Sequence, residues 1–291
     1  MKVGAVDIGT NSMRLLITDS ATEIGRWAVV TGLGRGVDAT GALSPEGIEE
    51  SLVALARFGE IMESEGVERR RAIATSAARD ASNRELFFDL AQTALSVRPT
   101  LVSGEVEARL AYAGATAGVD LPQPVVVSDI GGGSTEFVTR DGAESVDIGS
   151  VRLTERAIPS RPPSSAEMEK ARSLVADLFR EMRLETRTLI GVAGTWTSLD
   201  AIAQDLPRYS GDRVHGHRMT RGDLAALIDS LAGKTVAETA AIPSLDPKRA
   251  PVILAGALIA EGVMEALGVD EVLVSEHDTL DGVALELLAL P

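Results

Sequence analysis

The sequence predicts an α/β protein built from a duplicated domain, and three observations carry this prediction. Apolar, β-branched segments alternate with amphipathic segments of helix length along most of the chain. A β-branched run that leads into an aspartate–glycine turn occurs twice, at 3–12 and at 125–136, and such a repeat indicates duplication of a whole structural unit. The chain has 291 residues, which is the length of two ordinary domains.

The segment 125–136, VVVSDIGGGSTE, predicts a strand that enters a glycine turn. Glycine permits positive φ and close approach of the backbone to a ligand, and successive amide groups in such a turn can bind an anion. Asp129 and Glu136 flank the turn, and carboxylates suit Mg²⁺, which also binds phosphate oxygens. The segment therefore predicts a phosphate and metal site. The alternative is an ordinary Asp-Gly hairpin turn.

The first residues of the chain repeat this pattern without a gap. The matched pairs are Asp7 and Asp129, Ile8 and Ile130, Gly9 and Gly131, Ser12 and Ser134, and Asp19 and Asp141. Two strand–turn–strand units that share aspartates and glycines indicate a duplication, and two such turns suit a ligand with more than one phosphate.

Composition excludes several classes of function. A net charge of −15 argues against nucleic acid or an anionic membrane as the main partner, so a phosphate site must be a local basic island. Aromatic residues make up only 3% of the chain, which argues against a stacking platform for single-stranded nucleic acid. Without cysteine there is no thiolate nucleophile or zinc ligand. The three histidines, His215, His217 and His277, form no metal-binding pattern.

We expect a soluble, cytoplasmic protein. The chain begins directly with a strand and shows no signal-peptide pattern. Its longest apolar run, 251–260, is followed by Glu261 and Glu265 and is too short to span a bilayer.

Local signals place the other elements. Ser44 and Pro45 begin a helix that continues to about residue 65, and a Ser164–Glu167 capping box begins another. A glycine-rich segment at 31–36 is interpreted as a plain connection, and three arginines at 69–71 as a solvated charge run before a strand at 72–75. Further predictions are a domain boundary at 120–124, a strand at 272–274, and helices at 251–267 and 280–290.

Two charged positions follow predicted strand ends, where α/β folds place their ligands. Arg79 has a guanidinium suited to bidentate phosphate binding, although an ion pair with Asp80 or Glu85 is the alternative. Glu105 and Glu107 lie in the first turn of a helix, where the dipole favours an ionised carboxylate that could position a water. Spacing does not choose between these two glutamates, and both can be simple helix formers.

Two weaker candidates lie further along the chain. The segment 191–195 predicts a strand that ends in a third glycine turn. The segment 213–218 is basic, with His215 and His217 alternating as on a strand, and could be part of the basic island or an ordinary solvated surface.

Together these motifs resemble those of the exopolyphosphatase/guanosine pentaphosphate phosphatase (Ppx/GppA) family, over nearly the whole chain. The segments that carry the resemblance are 6–12, 74–80, 103–109, 129–136 and 151–154, with weaker support from 191–195 and 214–218. The resemblance implies an α/β fold of two duplicated actin-like (ribonuclease H-like) domains of the sugar kinase/Hsp70/actin superfold, with an interdomain cleft. The expected domains are 1–124, joined by a closing helix at 279–291, and 125–278. It also implies a homodimer.

The resemblance further implies a set of residue roles. Glu107 activates or positions the attacking water, Arg79 binds the phosphate, and Asp129 and Glu136 hold Mg²⁺ or another divalent cation. The phosphate-binding residues it implies are Asp7, Gly9, Thr10, Asn11, Ser12, Gly131, Gly132, Gly133 and Ser134. The implied activity is hydrolysis of the terminal phosphoanhydride of inorganic polyphosphate, with short chains as the expected substrates.

Three other functions stay open from the sequence. The substrate can instead be guanosine pentaphosphate, hydrolysed at its 5′ end. The superfold also contains kinases that use ATP, and fold alone does not fix function. A non-catalytic nucleotide or phosphate sensor is the alternative outside the enzymes.

Three departures from the family pattern bear on these expectations. An acidic residue that usually precedes the position of Glu107 is Val106 here, and an arginine near the end of many members is Leu280 here. The sequence also matches a short form of the family, without the C-terminal helical region that helps longer members hold long polyphosphate. The last two departures favour short chains as substrate, and the loss at Val106 favours the sensor alternative.

Overall fold

The structure is a computed structural model that describes residues 1–290. The chain divides into two compact units, one formed by residues 1–114 and 278–290 and the other by residues 115–277. The first unit ends at Gly114, before the Pro-containing segment 120–124 that was predicted as the domain boundary. The chain joins the first unit again at Asp278. No helix within residues 1–290 is long and apolar enough to cross a membrane.

The first unit contains a five-stranded mixed sheet. Its strands are β1 Val3–Ile8, β2 Ser12–Thr18, β3 Glu23–Val30, β4 Arg69–Ala74 and β5 Thr100–Leu101. They lie in the order β3-β2-β1-β4-β5, with β1 to β3 as an antiparallel meander and β1, β4 and β5 parallel. The central strand β1 is buried along its whole length, which its apolar, nearly continuous sequence allows.

The second unit contains a six-stranded sheet of closely related topology. Its strands are β6 Val125–Ile130, β7 Thr135–Val138, β8 Ala143–Val146, β9 Thr188–Val192, β10 Arg218–Thr220 and β11 Glu271–Val274. The order is β10-β11-β9-β6-β7-β8, with β6 to β8 as an antiparallel meander and β6, β9 and β11 parallel. A meander whose first strand pairs in parallel with a later strand is thus common to both units, as a duplicated domain requires.

Helices cover these sheets. They are α1 Val37–Thr40, α2 Pro45–Ser64, α3 Ser76–Asp80, α4 Arg84–Leu95, α5 Gly104–Thr116, α6 Ser150–Ala157, α7 Ser165–Phe179, α8 Ala193–Ala203, α9 Gly211–Val214, α10 Arg221–Ala232, α11 Val236–Ala240, α12 Ile253–Leu267 and α13 Thr279–Ala289. A short 3₁₀ helix lies at Pro247–Arg249. The predicted start of α2 is confirmed, because the Ser44 side chain accepts a hydrogen bond from the Gly47 amide at 3.0 Å.

Two local predictions are wrong. The three arginines at 69–71 belong to β4 and are half-buried. Arg69 Nη1 donates to the Leu290 carbonyl at 2.8 Å and Arg71 pairs with Glu286 of α13, so these two side chains help to attach the last helix. Arg70 Nη1 instead donates to the Leu95 carbonyl at 3.2 Å. His215 and His217 lie between α9 and β10, and not on a strand. In both cases the position was decided by contacts with segments distant in sequence.

The two faces of the first sheet bury separate apolar clusters. The cluster beneath α13, called here the α13 cluster, comprises Val3, Ala5, Leu16, Ile73, Val102, Leu110, Leu280, Val283, Ala284 and Leu287, with Val106 and Leu288 packed against it. The other face packs against α2 and α4. The last helix of the chain is therefore part of the first unit's core, which fixes the strand ends that carry the candidate site.

Candidate active site

The candidate residues of the first unit follow the ends of three neighbouring parallel strands. The turn at 8–12, called here the first turn, follows β1; Arg79 lies on α3 after β4; Glu107 lies on α5 after β5. Parallel neighbours present their carboxyl ends at one edge of the sheet, where ligands of α/β proteins bind. The Ala77 amide donates to Thr10 Oγ1 at 3.2 Å and ties α3 to the first turn.

The first turn is held by its own backbone and by the loop that follows β3. The Gly9 amide donates to the Ser12 carbonyl at 3.0 Å, so it closes the turn. The amides of Thr31 and Gly32 both donate to the Asn11 carbonyl at 3.0 Å, and a Cβ at Gly34 would overlap the Thr10 side chain. The glycine-rich loop at 31–36, predicted to be a plain connection, therefore also braces the first turn, a role that its sequence did not signal.

Asp7, the aspartate before the first turn, faces Arg14 across the β1–β2 pair. Its Oδ2 accepts hydrogen bonds from Arg14 Nε at 3.0 Å and Nη2 at 2.5 Å. Burial raises the pKa of the Asp7 carboxyl, and the positive charge of Arg14 opposes that rise. Its other oxygen, Oδ1, is buried and finds no hydrogen-bond partner within residues 1–290.

Arg79 and Glu107 form an ion pair. Arg79 Nη1 lies 3.3 Å from Glu107 Oε2 and donates to the Val102 carbonyl at 3.0 Å. Glu107 is buried, whereas Glu105, in the same turn of α5, is exposed. Glu85, an alternative partner of Arg79 considered from sequence, instead pairs with Arg98 at 2.9 Å. A guanidinium and a buried carboxylate in contact at a strand end are suited to bind a phosphoryl group and a water side by side.

The triple-glycine turn of the second unit, called here the second turn, repeats the first in detail. The Gly131 amide donates to the Ser134 carbonyl at 3.0 Å, the counterpart of the Gly9–Ser12 bond. The start of α6 packs against it, since the amides of Ser150 and Val151 donate to the carbonyls of the first two glycines at 3.0 and 2.8 Å. These contacts leave the amides of Gly132 and Gly133 outside the bonds that shape the turn.

Asp129 and Glu136 are direct neighbours across the β6–β7 pair. Residues opposite each other in an antiparallel pair project from the same face, with Cβ atoms about 5 Å apart. Both side chains are buried, and Ser145 Oγ donates to Glu136 Oε1 at 2.8 Å. Within residues 1–290 no group of three or more His, Asp or Glu side chains could hold a metal ion. Two carboxylates fit Mg²⁺ nonetheless, because this ion usually takes one or two, and fills its other positions with water and phosphate oxygens.

The weaker candidates lie elsewhere in the second unit. The third glycine turn begins α8 next to the second turn, because Val192 pairs with Asp129, and the guanidinium of Arg249 packs on Gly194. His217 Nδ1 lies 2.6 Å from Asp200 Oδ1 of α8, which orients the imidazole. Within the basic segment 213–218, Val214 is buried in the second unit, whereas Arg213, His215 and Arg218 are exposed.

Two of the three departures from the family pattern, at Val106 and Leu280, have a common structural setting. Leu280 is 1% exposed and belongs to the α13 cluster, and Val106 packs against the same cluster. Both positions therefore contribute apolar surface to the core behind Glu107.

Two units that each combine such a meander with parallel strands, and each present a matched glycine turn, define an actin-like ATPase fold. The chain belongs to the Ppx/GppA phosphatase family, whose model matches residues 18–290.

Named relatives agree with this assignment. Exopolyphosphatase 2 of Mycobacterium tuberculosis is 39% identical over 313 aligned positions, which cover 98% of this chain and 98% of that protein. The crystal structure of an exopolyphosphatase-like protein superposes with a TM-score of 0.94 at 36% identity and covers 99% of both chains. The Ppx/GppA family member of Aquifex aeolicus superposes with a TM-score of 0.83 at 30% identity, covering 99% of this chain and 97% of that one.

Proposed function

We propose that this protein is an exopolyphosphatase that hydrolyses the terminal phosphoanhydride of inorganic polyphosphate, short chains above all, and releases orthophosphate. The observation that carries the proposal is the contact between Arg79 and the buried carboxylate of Glu107 at the strand edge beside the first turn. The 39% identity with a protein named exopolyphosphatase, over almost the full length of both chains, supports the choice of substrate.

In this proposal Glu107 accepts a hydrogen bond from a water and aims the water oxygen at the terminal phosphorus. The new P–O bond forms as the bond to the bridging oxygen breaks, and the shortened chain leaves. Phosphoryl transfer passes through a loose transition state, so placement of the water matters more than early removal of its proton. Arg79 donates to the oxygens of the transferring group, where its charge stabilises the transition state.

We assign phosphate binding to the amides that the turns leave available. The amides of Gly9 and Gly131 already donate to the serine carbonyls that close the turns. These two glycines therefore set the conformation of the turns and are not assigned as phosphate donors. The donors for phosphate are then the amides of the next residues, Thr10 and Asn11 in the first turn and Gly132 and Gly133 in the second. The hydroxyls of Ser12 and Ser134 complete the two sets. Asp7 carries a carboxylate, which when ionised accepts hydrogen bonds and does not donate them, so it does not bind a phosphate oxygen directly.

Asp129 and Glu136 are the residues we assign to a divalent cation, Mg²⁺ by the hardness of their oxygens. When bound, such an ion neutralises charge on the phosphate oxygens. Ser145 holds Glu136 in place, and the packing of β7 between its neighbours keeps both carboxylates on one face.

The test is orthophosphate release with Mg²⁺ from short polyphosphate, long polyphosphate and guanosine pentaphosphate, measured in parallel. We expect Glu107→Gln to lower kcat about 100-fold or more, since positioned acid–base groups contribute that much. Glu105→Gln is the matched control: it removes the same charge from the same helix turn, at an exposed position, and should leave kcat unchanged.

The outcomes separate the candidate functions. Release from polyphosphate that Glu107→Gln abolishes supports the proposal. Release from guanosine pentaphosphate alone makes the protein an alarmone phosphatase, the second activity in the family's name. Binding of these compounds without turnover identifies a sensor, and wild-type rates in Glu107→Gln remove Glu107 from the mechanism.

A further inference from the structure

Arg14 connects two carboxylates that lie at opposite ends of the sequence. Its Nε and Nη2 donate to Asp7 Oδ2, and its Nη1 donates to Asp278 Oδ2, all within the first unit. The guanidinium is a rigid plane with five N–H donors, so contacts on two of its edges fix its orientation as well as its position. The side chain is 15% exposed, and both carboxylates are more deeply buried.

Asp278 is itself held firmly. It caps α13: its Oδ1 accepts from the Leu280 amide at 2.9 Å, and its own amide donates to Asp281 Oδ2 at 2.8 Å. Helix α5 packs directly on it, because a Cβ at Gly114 would overlap the Asp278 carbonyl oxygen. The residue that holds Arg14 is therefore fixed by the last helix and by the helix that carries Glu107.

At the other end, the hydrogen bonds to Asp7 are concentrated on one oxygen. Both Arg14 donors reach Oδ2, and Oδ1 is buried without a partner in the described part of the chain. A buried acceptor without a donor is costly, typically by about 1–3 kcal/mol, so an occupied site should supply one. A phosphate oxygen cannot do so, because it would meet a carboxylate of the same charge. The donor must be a group such as an ordered water that accompanies the phosphate.

We propose that Asp278 is a positioning residue of the active site. It orients Arg14, which in turn holds the Asp7 carboxylate so that Oδ1 receives an ordered water at the first turn. The catalytic part of this inference rests on the proposed function, whereas the effect of Asp278 on Asp7 through Arg14 does not.

The decisive measurement is the pKa of Asp7, followed by carboxyl ¹³C NMR in protein labelled at aspartate and assigned by the signal missing from Asp7→Asn. The charged groups that face Asp7 are Arg14 and Asp278. Asp278→Asn keeps an oxygen for the α13 cap but loses the acceptor for Arg14. If Asp278 acted only as a nearby negative charge, its removal would lower the pKa of Asp7. If it acts by holding Arg14, release of the guanidinium raises that pKa.

Asp281→Asn is the matched control, because Asp281 lies in the same turn of α13 and pairs with Arg26 at 2.8 Å, and asparagine keeps a side-chain oxygen that can accept from the Asp278 amide. We expect an upward pKa shift of Asp7 in Asp278→Asn and none in Asp281→Asn. A downward shift, or none, in Asp278→Asn overturns the proposal. Should Asp278→Asn fail to fold, Arg14→Lys replaces it, since an ammonium lacks the two-edged fork; it should also raise the pKa of Asp7, and an unchanged pKa overturns the proposal.

Orthophosphate release from tripolyphosphate is measured on the same proteins. We expect Asp278→Asn to lower kcat about tenfold, as misplacement of a catalytic geometry does, with Asp281→Asn within twofold of wild type. An upward pKa shift with full wild-type kcat would show that Asp278 orients Asp7 without serving catalysis, which overturns its place in the active site. An inactive wild type together with the pKa shift would refute the proposed function and leave the effect of Asp278 on Asp7 standing.

Discussion

The first and second turns share a backbone and differ in the charge that faces their aspartates. In both, the glycine amide donates to the serine carbonyl at 3.0 Å, and in both the aspartate pairs with a residue on the next strand. That residue is Arg14 opposite Asp7 and Glu136 opposite Asp129. One position of a duplicated hairpin thus carries opposite charges in the two units.

This difference gives the two turns of the duplicated fold different electrostatic surroundings. The first turn supplies its own counter-charge, because the guanidinium of Arg14 is bonded to Asp7. The second turn brings two buried carboxylates together, and buried charges are paired or bind a metal. In the proposed function, a divalent cation would add positive charge on the face of the second turn where Asp129 and Glu136 lie opposite each other. The comparison favours the assignment of the divalent cation to Asp129 and Glu136.

The largest effect that tests this comparison is expected from Glu136→Gln. The substitution keeps the shape of the side chain and removes one of the two charges on that face. We expect kcat to fall about 100- to 1000-fold, the loss typical of a group that stabilises transition-state charge, and the Mg²⁺ concentration at half-maximal rate to rise. Both quantities come from orthophosphate release measured across a Mg²⁺ titration.

Ser145→Ala is the control for this prediction, since it removes the hydrogen bond to Glu136 and keeps the carboxylate. Its rate should stay within a few-fold of wild type. A Glu136→Gln variant with the Mg²⁺ dependence of the wild type would show that Glu136 does not bind the cation. The charge difference between the two turns would then have no bearing on metal binding.

A smaller effect tests the shape of the second turn. A Cβ at Gly149 would lie within 2.5 Å of the Gly132 carbonyl oxygen, so only glycine allows α6 to pack on this turn. We expect Gly149→Ala to lower the free energy of unfolding by about 1–3 kcal/mol, as overpacking does, and to lower kcat by displacing the turn. Gly142→Ala is the matched control in the same unit, because a Cβ there meets nothing within 4 Å. Equal stability of the two variants in chemical denaturation would contradict this account.

The sequence predicted the parts of the fold and site that depend on neighbouring residues. The two turns, the cap at Ser44 and the places of Arg79 and Glu107 after strand ends follow from local patterns. The partner of Arg14 could not be predicted, because Asp278 lies 264 positions away and meets it only when the last helix returns to the first sheet. The bracing of the first turn by the 31–36 loop depends in the same way on tertiary packing.

The α13 cluster explains why the first unit lacks two charges that the family pattern contains. Val106 and Leu280 both add apolar surface to this cluster, behind the strands that carry Asp7 and Arg14.

The smallest expected effect tests that explanation through Val106→Glu. The side chain is half-buried against the α13 cluster, so its carboxylate would lose part of its hydration without gaining a partner. We expect a loss of about 1 kcal/mol in the free energy of unfolding, at the low end of the cost of an unsatisfied polar group. Val53→Glu is the control: Val53 is 69% exposed on α2 of the same unit, and its replacement should change stability by less than about 0.5 kcal/mol. If the two positions interact, the double variant Val106→Glu/Leu280→Arg should lose at least about 0.5 kcal/mol less free energy of unfolding than the sum of the losses in the two single variants. Strict additivity would mean that the two positions do not interact across the α13 cluster.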